Sequence, residues 1–366
     1  MDNQSTSKWL IGLGIVGAMV VIFLGLRWLT PTQHSIVFAA GNRSGLYYEL
    51  ARAIATEVER EHSNIKVNVV ETLGSLDNVK RLKAKTAQVA LIQNDTKANA
   101  DVRSISSIHP EILHFLCYRD SNIRSVRDLA DKKIAVGPKG SGSEQFTREF
   151  LNYLGIPIST INSVHLPLSE AAQKLVAGEL DAMLYLSGLG NRTCATALQS
   201  GKVQFSHVVT PPSDSSWADT DSWASNLAAG FRVRYPHVTP HAMPLFAYPD
   251  SNGNPGHPQE PIASVGVEAV LTCDEDLPSE VVDAITRTIF ENRAVLSQKH
   301  SAFSYLDEKT ATDQLQFPAH DAAEKYFRRD EPGFLVKYAE AMGFIISASI
   351  LIWGLASGVR NWMLQR

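Results

Sequence analysis

The sequence predicts an α/β fold in the middle of the chain, with a membrane-spanning segment at each end. In the middle, short apolar runs alternate with segments whose apolar residues recur at helical spacing. Alternation of this kind is typical of open sheets covered by helices on both faces. At the ends, uncharged apolar runs extend from Trp9 to Leu26 and from Ala341 to Val359.

Each terminal run is long enough to cross a bilayer, which takes about 17–25 apolar residues. A cleaved signal peptide has a shorter apolar core, roughly 7–15 residues, and a small-residue cleavage site. The first run has no such site, so we expect an uncleaved N-terminal membrane anchor over residues 1–33. Removal of this segment is the alternative. We expect a C-terminal transmembrane helix over residues 334–366, with both termini in the cytoplasm.

The first elements of the α/β region are predicted from apolar spacing. Ile36–Ala40 is a short apolar strand, and the apolar positions from Leu46 to Val58 then recur at helical spacing. Val67–Val69 alternates as a strand, and a short helix follows it. Buried strands are predicted next, at Val89–Ile92, Ile112–Tyr118, Ile134–Val136 and Ala182–Leu186.

The later elements follow the same pattern. Ser169 is predicted to cap the helix EAAQKLVAG. After Pro261, SVGVEAVLTC is predicted as a strand and LPSEVVDAITRTIFENRAVL as one long amphipathic helix. The proline-rich stretches at 211–223 and 248–261 are predicted surface loops.

Composition and motifs exclude several classes of function. The formal net charge is −4 with no long run of one sign, whereas nucleic-acid-binding proteins usually carry a basic stripe. The three cysteines include no C-x-x-C pair, which argues against a zinc or redox site. Nucleotide-binding, H-E-x-x-H and G-x-S-x-G motifs do not occur. We therefore expect no metal, no cofactor, no nucleic-acid partner and no enzymatic activity.

Three glycine turns each follow a predicted strand and precede a predicted helix, at 41–45, 73–75 and 137–143. The first N–H groups of a helix have no partner inside it, and the helix dipole adds partial positive charge there. Such turns form anion sites, and ligands of open sheets lie beyond the carboxyl ends of the strands. Ser141 and Glu144 also have capping-box spacing. The turns together predict a cleft for an anion, although ordinary helix capping explains each turn by itself.

Six blocks along the chain resemble, in order, those of the TAXI-type solute-binding proteins of TRAP transporters. The blocks are AGNRSGLYYELARAIA, ETLGSLDNVKRLK, AQVALIQND, NIRSVRDLADKKIAVGPKGSGS, ELDAMLYLSG and FPAHDAAEKYFRRDEPGF. The resemblance implies a type II periplasmic binding protein, in which two α/β lobes are joined by hinge strands. It places lobe I at 34–118 and 268–333 and lobe II at 119–267. It also implies a small carboxylate ligand, such as glutamate or 2-oxoglutarate, and membrane subunits of a TRAP-type transporter as partners.

Transferred residue by residue, the resemblance implies a set of ligand-binding positions. These are Gly41, Ser44, Gly45, Tyr47, Tyr48, Gly74, Ser75, Asn78, Gln93, Asp95, Gly137, Gly140, Ser141, Ser143, Ser187 and Gly188. Arg43 and Lys139 are further candidates that either pair with a ligand carboxylate or point to solvent. Asp95 either accepts from a ligand amino group or caps a helix. Of the two adjacent tyrosines, we expect one to form a wall of the cleft and the other to pack in the core.

Two functions compete on these grounds. The first is a receptor tethered in the inner (cytoplasmic) membrane, with its soluble part facing the periplasm or cell exterior and binding a small anionic or zwitterionic solute. The second is a ligand-sensing or interaction subunit with the same fold and no transport role. The first loop favours the second alternative, because Ala39–Arg43 departs from the glycine-threonine-glycine-glycine run that is usual in the family. An enzyme on the same fold is a third alternative, which lacks a visible nucleophile–base arrangement.

Overall fold

The computed structural model describes residues 19, 32–43, 45–98, 101–208, 219–250, 255–331, 336 and 338–364. These residues fall into two compact units, one that ends at Glu324 and one that begins at Lys325. The first unit holds a mixed sheet with helices packed on it, as the alternating pattern predicts. The second unit holds a long apolar helix.

Ten strands of the described residues form one sheet. In chain order they are β1 (His34–Ala39), β2 (Ile65–Val70), β3 (Val89–Gln93), β4 (Val102–Tyr118), β5 (Lys133–Ala135), β6 (Asn162–Val164), β7 (Ala182–Ser187), β8 (Val203–Phe205), β9 (Thr239–Met243) and β10 (Ile262–Asp274). Their spatial order is β2-β1-β3-β10-β4-β7-β5-β6, with β8 paired to β4 and β9 paired to β10.

The described α-helices alternate with these strands. They are α1 (Leu46–Glu61), α2 (Ser75–Lys83), α3 (Gly142–Tyr153), α4 (Leu168–Val176), α5 (Arg192–Gln199), α6 (Thr220–Arg232), α7 (Ser279–Glu291), α8 (Arg293–Lys299), α9 (Asp321–Phe327) and α10 (Ala339–Leu364).

Two predictions about helix ends are wrong. The helix expected to begin at Glu170, after a Ser169 cap, begins two residues earlier, at Leu168, with Pro167 in an extended conformation before it. The long helix expected after Pro278 is divided at Asn292, whose backbone leaves the helical conformation between α7 and α8.

The long strands β4 and β10 join two parallel half-sheets. One half-sheet is β2-β1-β3, and β3 pairs antiparallel with β10. The other is β7-β5-β6, and β7 pairs antiparallel with β4. β4 pairs with β10 from Val102 to Ile112 and with β7 from Ile112 onward, so it belongs to both halves. This strand begins ten residues before the predicted Ile112, because buried Ser104 and Ser106 interrupt the apolar pattern that the prediction used.

An aromatic cluster fixes α3 in the second half of the molecule. Phe150 packs edge-on against Phe231 of α6, with ring centroids 5.2 Å apart, and Phe146 packs on the same ring at 5.8 Å. Burial of a phenylalanine side chain stabilises a fold by about 1.5–3 kcal/mol. The cluster therefore holds the whole helix, including its first residue Gly142, in one position on the sheet.

The three cysteines are all free thiols in the core: Cys117, Cys194 and Cys273. Burial raises the pKa of Cys194 to about 12, and it also raises the pKa of the other two. These residues behave as small apolar side chains.

One helix among the described residues, α10, is long and apolar enough to cross a membrane. It has 26 residues and a mean hydropathy of 1.9, and none of its apolar window is buried. The predicted C-terminal span falls on this helix. The first apolar run, Trp9–Leu26, lies almost wholly outside the described residues, so the two-span arrangement remains a prediction.

Candidate functional site

A cavity of about 150 Å³ lies at the carboxyl ends of the parallel strands and is lined from both half-sheets. At ~30 Å³ for each water molecule, this space corresponds to about five waters. The first half contributes Gly41, Asn42, Gly45, Leu46, Tyr47, Gly74, Ser75 and Gln93, and β4 contributes Glu111. The second half contributes Pro138, Ser141, Gly142, Ser143, Pro167, Leu168, Tyr185, Leu186, Ser187 and Asn191. This is the edge at which open α/β sheets bind ligands.

Two of the predicted glycine turns meet across this cavity. Ser141 caps α3, since its Oγ accepts a hydrogen bond from the Glu144 backbone N–H at 3.2 Å. Gly74 precedes α2 with φ +111°, and a Cβ on it would lie 3.9 Å from the Ser141 Cα. The N-termini of α2 and α3 therefore lie side by side, although they start from different half-sheets.

The side chain of Gln93 bridges the two halves inside the cavity. It is 4% exposed, and its Nε2 donates to Glu111 Oε2 at 2.6 Å. Its Oε1 lies 1.6 Å from the position that a Cβ on Gly142 would occupy. Within the described residues this oxygen has no hydrogen-bond partner. Gln93 therefore occupies part of the space at the start of α3 where the turns predict a ligand.

Glu111 is the charged side chain of the described cavity lining, and the sequence analysis missed it. It is 5% exposed, and its Oε2 also accepts from the Tyr47 hydroxyl at 3.1 Å. Burial raises the pKa of Glu111 to about 7, despite the hydrogen bonds from Gln93 and Tyr47, which lower it. The available signal was an isolated acid in the otherwise apolar stretch PEILHFLCY.

Asp95, just beyond β3, adds to the acidic character of this region. Its Oδ1 is buried without a hydrogen-bond partner in the described part of the chain. Burial, together with the nearby Glu149 and Glu111 carboxylates, raises the pKa of Asp95 to about 7. No group of three or more His, Cys, Asp or Glu among the described residues is arranged to hold a metal ion.

The structure brings about half of the predicted site residues to the cavity lining. These are Gly41, Gly45, Tyr47, Gly74, Ser75, Gln93, Ser141, Ser143 and Ser187. The described residues that lie outside the lining are Arg43, Tyr48, Asn78, Asp95, Gly137, Lys139, Gly140 and Gly188. Ser44 lies outside the described residues.

Several residues outside the lining have a clear structural role. Asn78 is buried and donates to the backbone oxygens of Ala40 at 2.7 Å and Leu91 at 2.6 Å, which ties β1 to β3. Arg43 is exposed, and its Nε lies 3.2 Å from Glu71 Oε2. Lys139 is exposed to solvent.

The two adjacent tyrosines lie in different surroundings. Tyr47 forms part of the cavity wall. Tyr48 is half-buried, with the Arg43 guanidinium 6.0 Å from its ring centroid, so the expectation that it packs in the core is wrong.

Several solved structures are similar to this chain at low identity. MatC from Rhodopseudomonas palustris with bound malate is 14% identical, covering 74% of this chain and 88% of its own, with a TM-score of 0.46. The alkanesulfonate-binding protein SsuA from Xanthomonas axonopodis pv. citri bound to MOPS is 12% identical, covering 88% and 95%, with a TM-score of 0.43. The effector-binding domain of BenM with benzoate is 13% identical, covering 72% and 94%, with a TM-score of 0.43.

A match to a sequence family also covers most of the chain. The profile of the NMT1-like family matches residues 38–331, which spans the chain from β1 to beyond α9 and includes every residue of the cavity lining. The chain therefore belongs to the NMT1-like family.

Proposed function

We propose that this chain is a membrane-tethered extracytoplasmic solute-binding receptor that encloses a small carboxylate in the cavity between its two half-sheets. The observation that carries the proposal is that residues of both half-sheets line the same cavity. Both half-sheets contribute helix N-termini to one small space, and the long strands β4 and β10 run between them. In the predicted type II periplasmic binding fold, the lobes are 34–118 with 268–333, and 119–267.

Opening of the cavity requires the two lobes to move about β4 and β10. The two strands pair next to the cavity, where a Cβ on Gly266 would lie 2.2 Å from the Glu111 backbone oxygen. A small rotation there separates the β3 side of the cavity from the α3 side and admits a solute. Hinges of this kind are a few residues at element ends or in connecting strands that absorb the change in backbone angles.

The first turn of α3 provides the carboxylate-binding end of the cavity. The N–H groups of Gly142 and Ser143 belong to that turn and have no acceptor within the helix. Together with the partial positive charge of the helix N-terminus, they attract an anion. In this proposal the ligand carboxylate displaces the Gln93 amide oxygen from the start of α3.

The finer assignment follows from the sequence blocks and the apolar helix. We propose a TAXI-type receptor of a TRAP-type transporter, with glutamate, 2-oxoglutarate or a similar compound as ligand. In this arrangement α10 lies in the inner membrane, both termini are cytoplasmic and the soluble part faces the periplasm or cell exterior. Tethering gives the receptor a high effective concentration near membrane subunits of the transporter.

Ligand-dependent thermal stability tests the receptor function. The full-length chain in detergent is melted with a panel of amino acids, 2-oxo acids and dicarboxylates, because a ligand that binds only the native state raises the Tm. Leu168→Trp fills the cavity and should abolish the shift. Val233→Trp alters an apolar residue that is 85% exposed and should leave the shift intact. A panel without any stabilising compound, or a shift unchanged in Leu168→Trp, would refute the proposal.

A further inference from the structure

We propose that Glu111 determines the specificity of the cavity by selecting ligands that carry an ammonium group beside their carboxylate. This inference rests on the proposed function, because it names the ligand class of the same cavity. It extends the expectation drawn from the glycine turns, which concerned an anion alone.

The cavity has two ends of opposite polarity. One end is the start of α3, where the first-turn N–H groups and the helix dipole favour negative charge. The other end is the buried Glu111 carboxyl, an acceptor that favours a positively charged or N–H donor group. A ligand that satisfies both ends must be anionic on one side and cationic on the other.

The side chain of Gln93 already shows this polarity. Its Nε2 donates to Glu111 Oε2 at 2.6 Å, and its Oε1 faces Gly142 at the start of α3. The residue is 4% exposed, and the Oε1 has no hydrogen-bond partner within the described part of the chain. One amide group thus directs a donor to the acid and an acceptor to the helix. An amino acid likewise carries a donor and an acceptor close together, on adjacent carbons, and both groups carry full charges.

The described residues around Glu111 supply no positive charge that would neutralise it. The acids that face it are Asp95 beyond β3 and Glu268 on β10, and Tyr47 faces it from α1. His109 lies two residues away on β4, and His241 of β9 lies beside Gly266. Burial lowers the pKa of both histidines to about 4, so both are neutral near pH 7. An ammonium group on the ligand is therefore the complement that the ionised acid lacks.

Matched pairs of ligands test the proposal. The full-length chain in detergent is titrated calorimetrically at pH 8 with L-alanine against pyruvate and with L-glutamate against 2-oxoglutarate. In each pair an ammonium-bearing carbon replaces a keto carbon. We expect the amino acid to bind more tightly. Glu111→Gln should weaken amino-acid binding by about tenfold or more, because a hydrogen bond to a charged group is lost. It should leave 2-oxo acid binding equal or tighter.

Two further variants separate specificity from folding. Glu291→Gln removes a negative charge from an exposed residue paired with Arg287 and should change neither affinity. Tyr47→Phe removes one hydrogen bond to Glu111 but keeps its carboxylate, so it should keep the preference for the amino acid. Thermal melts of each variant check that it is folded.

The outcomes distinguish this inference from the proposed function. Equal affinities within a pair, tighter wild-type binding of the 2-oxo acid, or an equal effect of Glu111→Gln on both members would overturn the inference and leave the receptor function standing. Failure of every compound to bind would overturn the receptor function and this inference with it.

Discussion

The backbone oxygen of Glu111 lies 2.2 Å from the position that a Cβ on Gly266 would occupy. Strands β4 and β10 therefore approach one another at a point where only glycine fits. The side chain of the same Glu111 reaches the cavity. One residue therefore contributes its backbone to the contact between β4 and β10 and its side chain to the cavity.

Gly266→Ala should destabilise the fold. Its new Cβ would collide with the Glu111 backbone oxygen and with His241, and forced overpacking costs about 1–3 kcal/mol. Chemical denaturation of the full-length chain measures the loss. Gly41→Ala is the control, because among the described residues its Cβ would meet the Tyr47 Cβ at 3.4 Å, an ordinary van der Waals contact. Equal stabilities of the two variants would contradict the close approach of the strands.

Glu111→Gln should change how stability depends on pH. Burial raises the pKa of Glu111 from 4.5 to about 7, so the native state binds this proton more tightly than the unfolded state does. The free energy of unfolding should therefore fall as pH rises from about 4.5 to about 7. At pH 8 the variant should be more stable than wild type by up to about 3 kcal/mol, at 1.36 kcal/mol for each pKa unit. Unfolding curves at pH 5 and pH 8 check this, with Glu291→Gln as the control. Parallel pH profiles for wild type and Glu111→Gln would show that the acid is not buried as described.

Ligand binding should depend on pH with opposite signs for the two ligand classes. The ionised Glu111 attracts an ammonium group, so amino-acid affinity should rise as pH rises through about 7. A 2-oxo acid brings only negative charge, so its affinity should fall over the same range. One linked proton changes affinity by at most about tenfold per pH unit. Calorimetry at pH 6 and pH 8 measures both, and the pH dependence due to Glu111 should disappear in Glu111→Gln. The same sign for both ligands in wild type would exclude Glu111 as the titrating group.

Gly142→Ala should be destabilising because of Gln93. The new Cβ would lie 1.6 Å from Gln93 Oε1 and would force that side chain from its place, so that its hydrogen bond to Glu111 is lost, at a cost of about 0.5–1.5 kcal/mol. Gln93→Ala removes the obstacle, so the double variant should be more stable than the sum of the single effects predicts. The four stabilities of this double-mutant cycle provide the measurement. Simple additivity would mean that Gln93 does not lie against Gly142.

Asn78→Ala should reduce stability without altering ligand preference. The buried Asn78 amide donates hydrogen bonds to the backbone oxygens of Ala40 and Leu91. Its removal leaves these buried oxygens without that donor, and an unsatisfied buried group costs about 1–3 kcal/mol. Asn162→Ala, at an exposed residue of β6, is the control and should be close to neutral. Unfolding measurements give the stabilities, and the ligand pairs give the preference. A changed ligand preference in Asn78→Ala would indicate that Asn78 takes part in ligand binding.

The glycine turns could be predicted from the sequence because their chemistry is local. A serine placed three residues before Glu144 caps a helix wherever that helix packs, and Ser141 does so here. Convergence of separate turns followed from strand order, since the carboxyl ends of parallel strands share one edge. Glu111 could not be predicted in this way. Its role depends on the pairing of β4 with β10 and on the hydrogen bond from Gln93 of β3. Both are contacts between distant parts of the chain.

The same limit applies to Asn78 and to the first part of β4. Asn78 follows a glycine turn as a ligand-binding residue would, but the carbonyl groups of two strands are near enough to take its amide. The start of β4 carries serines that are buried by later parts of the chain, such as Phe317, whose backbone oxygen accepts from the Ser104 hydroxyl. Neither contact is visible in local periodicity.

The burial of the three thiols makes the native chain a ready background for attached reporters. Cys117, Cys194 and Cys273 are all 0% exposed, so thiol-reactive fluorophores or spin labels should not react with them. The native cysteines therefore need not be replaced before labelling. Cysteines introduced at exposed Lys80 on α2 and Lys139 before α3 would carry one label on each side of the cavity. The distance between the labels would then report whether one half of the molecule moves against the other when solute is added, as the proposed receptor function requires.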